Sequence, residues 1–357
     1  MEIRSSELDQ AQPTALTRGL RVVAIGGGTG LSTLLKGLKR YALLPTELGS
    51  ADPNSPIIRD LCAVVTVSDD GGSSGRLRKE FNMLPPGDIR NCIVALSEDE
   101  ALLSRLFRHR FEKGSGLEGH SFGNLFLAAL TSLTSDFSEA VRLSSEILLT
   151  RGHIHPATTS NIELEALMED GTLVRGETNI TASKQNIVEL RLEPSAVDPL
   201  PETLEAIANA DLITLGPGSL YTSLITNLLV RGIPEALAAS PATKVFVCNL
   251  MTQANESLGL SAAQHIEKIL QHAGNVRTPL FDYALINTAF ISPELLKRYA
   301  SEGQEPIEAD LDRIRALGVE PITGSFVHEG DVLRHDYDRV AEILLTLAVP
   351  RVVTHAS

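Results

Sequence analysis

The stretch Val22-Val-Ala-Ile-Gly-Gly-Gly-Thr-Gly-Leu-Ser32 decides the fold, because it reads as a strand that runs through glycines into a helix. Its first four residues are apolar and β-prone, and leucines then recur at helical spacing at positions 31, 34, 35 and 38. Glycines let a backbone approach a ligand closely, and a helix N-terminus offers unpaired N–H groups to an anion. A phosphate-binding turn is therefore predicted at Gly26, Gly27, Gly28, Thr29 and Gly30, the alternative being a glycine-rich turn without a ligand.

This turn departs from the two common nucleotide-binding fingerprints. Gly26 and Gly28 fit the first two glycines of G-x-G-x-x-G, but Leu31 stands where the third glycine belongs. The lysine of a P-loop is also missing from the stretch. An NAD-dependent oxidoreductase is therefore the weakest of the functions considered.

Composition narrows the class of protein. The chain has 357 residues, 43% of them hydrophobic, enough for one large α/β domain or two modest ones. A net charge of −14 argues against an extended nucleic-acid interface, although it leaves room for a small bound anion. The three cysteines are far apart, which suits a reducing compartment, and we find neither a signal-peptide core nor a membrane-spanning run. We expect a cytoplasmic protein.

A second polar cluster follows the predicted strand from Cys62 to Val67. Asp69 or Asp70 stands where an acidic residue of a Rossmann-type unit meets the ligand, and two adjacent carboxylates can also hold Mg²⁺ beside a phosphate. Ser73, Ser74 and Arg76 add hydroxyl donors and positive charge for a phosphate. The alternative is a surface turn with solvated charges.

Two further polar residues stand before predicted helices. Asp88 follows Pro-Pro-Gly and is expected to cap the next helix, a role compatible with metal or substrate binding. Asn124 precedes the apolar run from Leu125 to Leu133 and fits either a cap or a ligand contact.

The strand, glycine turn and helix of the opening stretch occur in the same order a second time later in the chain. The strand Leu212 to Leu215 runs into Gly216, Pro217, Gly218 and Ser219, with a helix expected over Leu224 to Val230. Asn249 ends another predicted strand. In a parallel sheet, two such turns can face one cleft at the carboxyl edge.

The order of elements predicts the domain organisation. Repeated strand-then-helix units indicate an α/β fold with a mostly parallel sheet covered on both faces. Residues 1–19 read as a disordered tail and residues 20–357 as a single domain, with a β-rich excursion over about 160–200 marked by Asp170-Gly171. The loop from Leu43 to Asp60 is interpreted as an insertion or a lid.

Taken together, the stretches at 26–32, 68–75, 86–90 and 216–223 resemble one family, the gluconeogenesis factor family (YvcK-like) within the superfamily of the phospholactate transferase CofD. The resemblance runs from about Arg21 to the C-terminus, with residues 249–253 and 334–336 as further marks. It implies a Rossmann-like three-layer α/β/α sandwich with a smaller α+β subdomain.

The resemblance also implies two alternative functions. The transferase branch moves phospholactate from a nucleotide donor to a deazaflavin alcohol with a metal, whose ligands here look like Asp69 or Asp70, and Asp88. The other branch binds UDP-N-acetylglucosamine and supports cell shape and cell-wall precursor supply on gluconeogenic carbon sources. Tyr299 and Arg334 look like its nucleotide-sugar contacts, since tyrosine stacks on a base and arginine pairs with a diphosphate. Whether the site catalyses a reaction stays open, and a homodimer is compatible with the chain.

Overall fold

The computed structural model describes residues 19–43, 57–97, 102–183, 185–274 and 279–354. All but the last residue of the predicted tail, and most of the loop from Leu43 to Asp60, lie outside this part of the chain. Among the described residues, no helix is both long and apolar enough to cross a membrane.

A seven-stranded sheet forms the centre of the molecule, with the order β10-β9-β8-β7-β1-β2-β3. Every pair of neighbours in it is parallel. Its strands are β1 Leu20–Gly26, β2 Ile58–Val65, β3 His153–Pro156, β7 Leu212–Leu215, β8 Thr243–Val247, β9 Tyr283–Asn287 and β10 Glu320–Gly324.

The strand order creates a switch point between β1 and β7. From β1 the chain adds β2 and β3 on one side, and then returns to place β7, β8, β9 and β10 on the other side. Ligands of open α/β sheets bind at the carboxyl ends of the strands where the order reverses. The topology therefore predicts a ligand site at the residues that follow Gly26 and Leu215.

Helices cover the sheet and complete the three-layer α/β fold predicted from the sequence. The leucines of the opening helix are buried, which confirms the period seen in the sequence. The helices are α1 Gly28–Lys39, α2 Gly72–Phe81, α3 Gly87–Leu96, α4 Leu102–Arg108, α5 Phe122–Thr134, α6 Phe137–Ile147, α7 Glu177–Ala182, α8 Pro201–Asn209, α9 Thr226–Leu228, α10 Ile233–Ala239, α11 Ala262–His272, α12 Pro293–Ser301, α13 Leu311–Ala316 and α14 Tyr337–Thr354.

Two small additions decorate this sandwich. The β-rich excursion is a three-stranded antiparallel sheet of β4 Glu163–Met168, β5 Leu173–Arg175 and β6 Ile187–Glu193, with α7 inserted. A hairpin of β11 Val327–Glu329 and β12 Leu333–His335 forms the second. It packs with α12 around its own apolar cluster at Leu250, Met251 and Ile291.

Two local predictions were wrong, and for Asn124 one of the two alternatives is excluded. Asp88 does not cap α3, because the helix begins at Gly87 with Pro86 as its cap, which places Asp88 inside the first turn. Asn124 is not a cap either, since the Ser121 hydroxyl accepts the Asn124 N–H at 3.2 Å. The helix expected over Leu224 to Val230 begins earlier, as a π-helical turn over Leu220–Ile225 that continues into the short α9.

Candidate functional site

The two glycine turns meet at the switch point. A Cβ placed on Gly30 would lie 2.6 Å from the carbonyl carbon of Pro217 and would overlap its oxygen. The Gly216 N–H also donates to the Ile25 carbonyl at 3.0 Å, which joins the ends of β1 and β7. The turns therefore touch through bare backbone, at the place where the strand order reverses.

A cleft of about 390 Å³ opens beside this contact. Its lining comes from both turns, from the segment after β8, and from α12 and β12. Of the predicted nucleotide-binding residues, it brings together Gly27, Gly28, Thr29, Gly30, Pro217, Gly218, Ser219, Asn249, Tyr299 and Arg334. The other lining residues were not predicted as ligand contacts, although several lie in the stretches that carry the resemblance; they are Thr33, Ser223, Leu250, Met251, Gln253, Gln304, Leu333 and His335.

The first turn presents donors for an anion. Helix α1 has neither a side-chain cap nor an acidic residue in its first turn. The Gly28 N–H bonds to the Asp88 carboxyl, whereas the N–H groups of Thr29 and Gly30 have no hydrogen-bond partner among the described residues. The positive end of the helix dipole thus faces the cleft with free N–H groups, as an anion site requires.

Several donors of the second turn are already used by the protein. The buried Glu256 carboxylate accepts the N–H groups of Tyr221 at 3.1 Å and Thr222 at 3.4 Å, and the Thr222 hydroxyl at 2.8 Å. The Gln253 amide donates to the Ser219 hydroxyl at 2.9 Å. Glu256 therefore occupies the place that a phosphate would take at this helix start, and the second turn serves as a wall.

Asn249 holds that wall in place. Its Oδ1 accepts the Gly218 N–H at 3.1 Å, and its Nδ2 donates to the Gly218 carbonyl at 2.7 Å. The side-chain amide thus pairs with the Gly218 backbone in both directions. Asn249 positions the second turn even though it also lines the cleft.

Tyr299 and Arg334 stand on the wall formed by α12 and β12. The Tyr299 hydroxyl accepts the Leu333 N–H at 2.9 Å, and the Arg298 guanidinium lies 5.6 Å from the centre of the tyrosine ring. The Arg334 guanidinium forms no hydrogen bond or ion pair with a described residue. It is therefore available for an anionic ligand.

His335 anchors the hairpin that carries Arg334. Its Nε2 donates to the Cys248 carbonyl at 3.0 Å, at the end of β8. Burial lowers the pKa of His335 to about 4. The imidazole is accordingly neutral at physiological pH, and this bond holds the hairpin against the sheet.

The three predicted metal ligands lie next to the cleft but do not line it. The Asp69 carboxylate accepts the Gly71 N–H at 2.9 Å and packs against Gly87. Asp70 accepts the Thr178 N–H at 2.9 Å and its hydroxyl at 2.5 Å, so it caps the start of α7. Asp88 packs against Gly27, where a Cβ would lie 2.9 Å from its Oδ2.

Glu177, which sequence reasoning missed, joins this acidic group. The cap at Asp70 brings it there from the excursion, about a hundred residues further along the chain. Burial, with the charges of Asp69, Asp88 and Asp70, raises the pKa of Glu177 to about 9. Burial and Asp69 raise the pKa of Asp88 to about 6.

These carboxylates offer the oxygen ligands that Mg²⁺ prefers. In the described ranges, however, no three His, Cys, Asp or Glu side chains are arranged to hold a metal ion. The residues thus provide suitable chemistry without a preformed three-ligand site, and magnesium binding stays a prediction.

The remaining predicted phosphate ligands bond to one another or to the backbone, and none lines the cleft. Ser73 Oγ lies 2.9 Å from His120 Nδ1, and the Asn124 amide donates to the hydroxyls of Ser73 at 3.2 Å and Ser74 at 3.5 Å. Arg76 donates to the Glu118 carbonyl at 2.7 Å. This group braces the starts of α2 and α5.

Comparison with known proteins gives a consistent result. Residues 22–327 match the family model described as 2-phospho-L-lactate transferase CofD. The chain is 45% identical to the gluconeogenesis factor of Bacillus subtilis, covering 92% of this chain and 98% of that protein. It is 47% identical to the gluconeogenesis factor of Halalkalibacterium halodurans, covering 91% of this chain and 95% of that protein.

Solved structures show the same likeness. Two crystal structures of a Bacillus halodurans protein superimpose with a TM-score of 0.84 at 47% identity, over 92% of this chain and 99% of the other. The range matched by the family model, residues 22–327, includes both glycine turns and the acidic group.

Proposed function

This chain belongs to the gluconeogenesis factor family of CofD-like proteins, and from that premise we propose that it binds a UDP-sugar, UDP-N-acetylglucosamine, in the cleft between the two glycine turns. In this proposal the protein is a nucleotide-sugar sensor. It supports cell shape and the supply of cell-wall precursors when cells grow on gluconeogenic carbon sources.

The observation that carries the proposal is the set of free donors at one switch-point cleft. The N–H groups of Thr29 and Gly30 and the Arg334 guanidinium line this cleft without a partner among the described residues. A diphosphate needs several such donors, and arginine pairs with phosphate in a bidentate way. Tyr299 lines the same cleft and offers an aromatic face to the uracil ring.

Isothermal titration calorimetry tests the proposal directly. Wild-type protein is expected to bind UDP-N-acetylglucosamine in the micromolar range. Arg334→Ala is expected to weaken binding about tenfold to a hundredfold, because a charge-assisted hydrogen bond is lost. Arg339→Ala is the matched control, an exposed arginine that pairs with Glu342. An absence of heat with any UDP-sugar, from protein that melts cooperatively, would refute the proposal.

The cellular role has its own test. A Bacillus subtilis strain that lacks its gluconeogenesis factor would be complemented with this chain or with its Arg334→Ala form. We expect wild-type protein to restore rod shape on a gluconeogenic carbon source and Arg334→Ala to restore it poorly. Equal rescue by both forms would separate the cellular role from ligand binding.

A second candidate is a metal-dependent transferase that moves a phospholactate-like group from a nucleotide donor to a deazaflavin alcohol. The match to the CofD family model favours it, as does the acidic group of Asp69, Asp88 and Glu177 beside Gly27. Product analysis with guanine-nucleotide-linked donors, Mg²⁺ and a deazaflavin alcohol tests it. Folded protein that gives no product with any of these donors would eliminate it.

A further inference from the structure

A second groove, of about 980 Å³, lies at the β3 edge of the sheet. Strand β3 forms its floor, while α6 and the chain at Leu200 and Glu202 form its walls. It shares no lining residue with the cleft described above. The proposed ligand therefore leaves this groove unused.

The floor of the groove presents open backbone groups. The Ala157 N–H donates to the Val65 carbonyl of β2. Backbone N–H and C=O groups of alternate strand residues point to the same side, so those of His153 and His155 also point toward β2. The N–H and C=O of Ile154 therefore point away from the sheet. In the described ranges no strand pairs with this outer side, where the Thr203 hydroxyl covers the Pro156 carbonyl at 3.3 Å and the Thr150 hydroxyl covers the Gly152 carbonyl at 3.0 Å.

The walls of the groove are acidic. Asp136, Glu139, Glu146 and Glu202 line it, against a single lining arginine, Arg142. Glu139, at 2.6 Å, and Glu146 share that arginine in ion pairs, so the lining keeps an excess of three carboxylates over guanidinium groups. Burial lowers the pKa of His155, which keeps this side chain from adding a compensating charge.

An exposed leucine adds an apolar contact. Leu149 lines the groove with 70% of its surface exposed, in a left-handed conformation with φ of 50°. A large apolar side chain in this conformation is uncommon, and it is costly to leave in water. It offers a place for an apolar side chain of a bound segment.

We propose that this groove docks a basic, extended segment of a partner protein, which pairs with the open backbone of Ile154 as an added strand. Such a segment would gain main-chain hydrogen bonds from the sheet edge. Its lysine or arginine side chains would meet the carboxylates on the walls, and its apolar side chains would meet Leu149. A second copy of this chain fits poorly, because edge-to-edge pairing would set two acidic grooves against each other.

Fluorescence anisotropy with a labelled decapeptide that alternates lysine with valine or threonine tests the docking. Two further peptides serve as probes: the same sequence with glutamate in place of lysine, and the lysine sequence with alternate backbone nitrogens methylated. The protein variant is Glu146→Gln with Glu202→Gln. The matched control is Asp312→Asn with Glu320→Gln, at the opposite, β10 edge, where both carboxylates lie near Arg315.

The lysine peptide is expected to bind at low salt, and more weakly as salt rises. The groove variant and the methylated peptide should each lower the affinity about tenfold, while the control variant stays within about twofold. Absent binding, equal binding of the methylated peptide, or equal loss in the control would overturn the proposal. So would a dimer in sedimentation that the groove variant dissociates, because the groove would then join two copies.

Discussion

Gly30 shows most directly why a glycine is needed in the opening turn. Its α-carbon faces the Pro217–Gly218 backbone so closely that a methyl group has no room. The contact is made by backbone on both sides, which cannot move aside as a flexible side chain can. Gly30 thus supplies the close approach that the missing third glycine of the dinucleotide fingerprint supplies elsewhere.

Gly30→Ala is predicted to separate the two turns. We expect a loss of stability of about 1–3 kcal/mol, as for an overpacked core site, together with weaker UDP-N-acetylglucosamine binding. Thermal unfolding and calorimetry measure the two effects. Gly330→Ala is the matched control, because the nearest atom to its added Cβ lies 3.9 Å away. Unchanged melting of Gly30→Ala would contradict the observed packing.

Asn249 is the second residue whose role depends on geometry. The sequence suggested a ligand contact, but both polar groups of its amide bond to Gly218. Its effect on a ligand would therefore pass through the shape of the second turn. A residue with such a positioning role stabilises the protein even without ligand, whereas a residue that only contacts ligand does not.

Asn249→Ala is predicted to destabilise the ligand-free protein by about 1–3 kcal/mol, since two half-buried backbone groups of Gly218 lose their partners. A residue that only touched ligand would leave the free protein unchanged. Denaturant unfolding without ligand is the measurement. Asn209→Ala serves as control, because its amide makes a single exposed bond to Glu205. Equal stability of Asn249→Ala and wild type would assign Asn249 to the ligand alone.

At the scale of elements, the two helix starts of the cleft differ although their sequences look alike. Helix α1 begins without a cap and keeps free N–H groups. The π-helical turn Leu220–Ile225 receives the carboxylate of Glu256, which a distant loop supplies. An anion at a helix start is favourable. The protein supplies one at the π-helical turn with Glu256, whereas at α1 the Asp88 carboxyl takes only the Gly28 N–H.

Helix α7 is too short to be stable alone, and Asp70 fixes its first turn. The Asp70 cap also has an unfavourable effect, because it holds the Glu177 carboxyl near the negative charges of Asp69 and Asp88. The folded state therefore holds a proton on Glu177 that the unfolded chain releases above its ordinary pKa of 4.5. The contribution of Glu177 to the free energy of unfolding is therefore fully present below pH 4.5 and is lost as pH rises toward about 9.

Glu177→Gln is predicted to flatten this pH dependence. We expect the wild-type melting temperature to fall as pH rises from 5 to 9, and the variant to fall less and to melt higher near pH 8. Calorimetric melting across that range is the measurement. Glu205→Gln, an exposed change on α8, should follow the wild-type curve. Parallel curves for Glu177→Gln and wild type would refute the buried, protonated state.

At the scale of the whole molecule, the cleft joins parts that are distant in sequence. The sheet supplies both turns, while the hairpin and α12 supply Tyr299 and Arg334. That outer part packs around its own small apolar cluster and is tied to the sheet through His335. A ligand that touches both parts would hold them together.

Hydrogen exchange is predicted to report this clamping. At a hundred times its dissociation constant, UDP-N-acetylglucosamine would raise the free energy of any local opening that releases it by about 2.7 kcal/mol, and would leave openings that keep it bound, such as those of the β3 edge, unchanged. We expect slower exchange in residues 26–31 and 327–335 and unchanged exchange in β3. The same ligand with Arg334→Ala is the control. Protection spread evenly over the molecule, or confined to β3, would place the ligand elsewhere.

The sequence by itself determined the architecture. Periodic leucines after a β-prone run predicted β1 and α1, and the repeated strand-then-helix order predicted the parallel sheet, because these signals are local and follow from backbone geometry. The same local logic identified both glycine turns. It misplaced the start of α3 and the cap of α5, where proline and serine outcompeted the expected residues.

Only the tertiary structure decided which polar groups are free. Glu256 fills one helix start, Asn249 bonds to Gly218, and Glu177 enters the acidic group from a separate sheet. The sequence pointed to Asn249 but not to its partner, and it did not mark Glu256 or Glu177, since each of the three acts on a segment at least thirty positions away. Hydrogen-bond partnership and burial depend on the packing of distant segments, so free donors and shifted pKa values emerge only once the chain has folded.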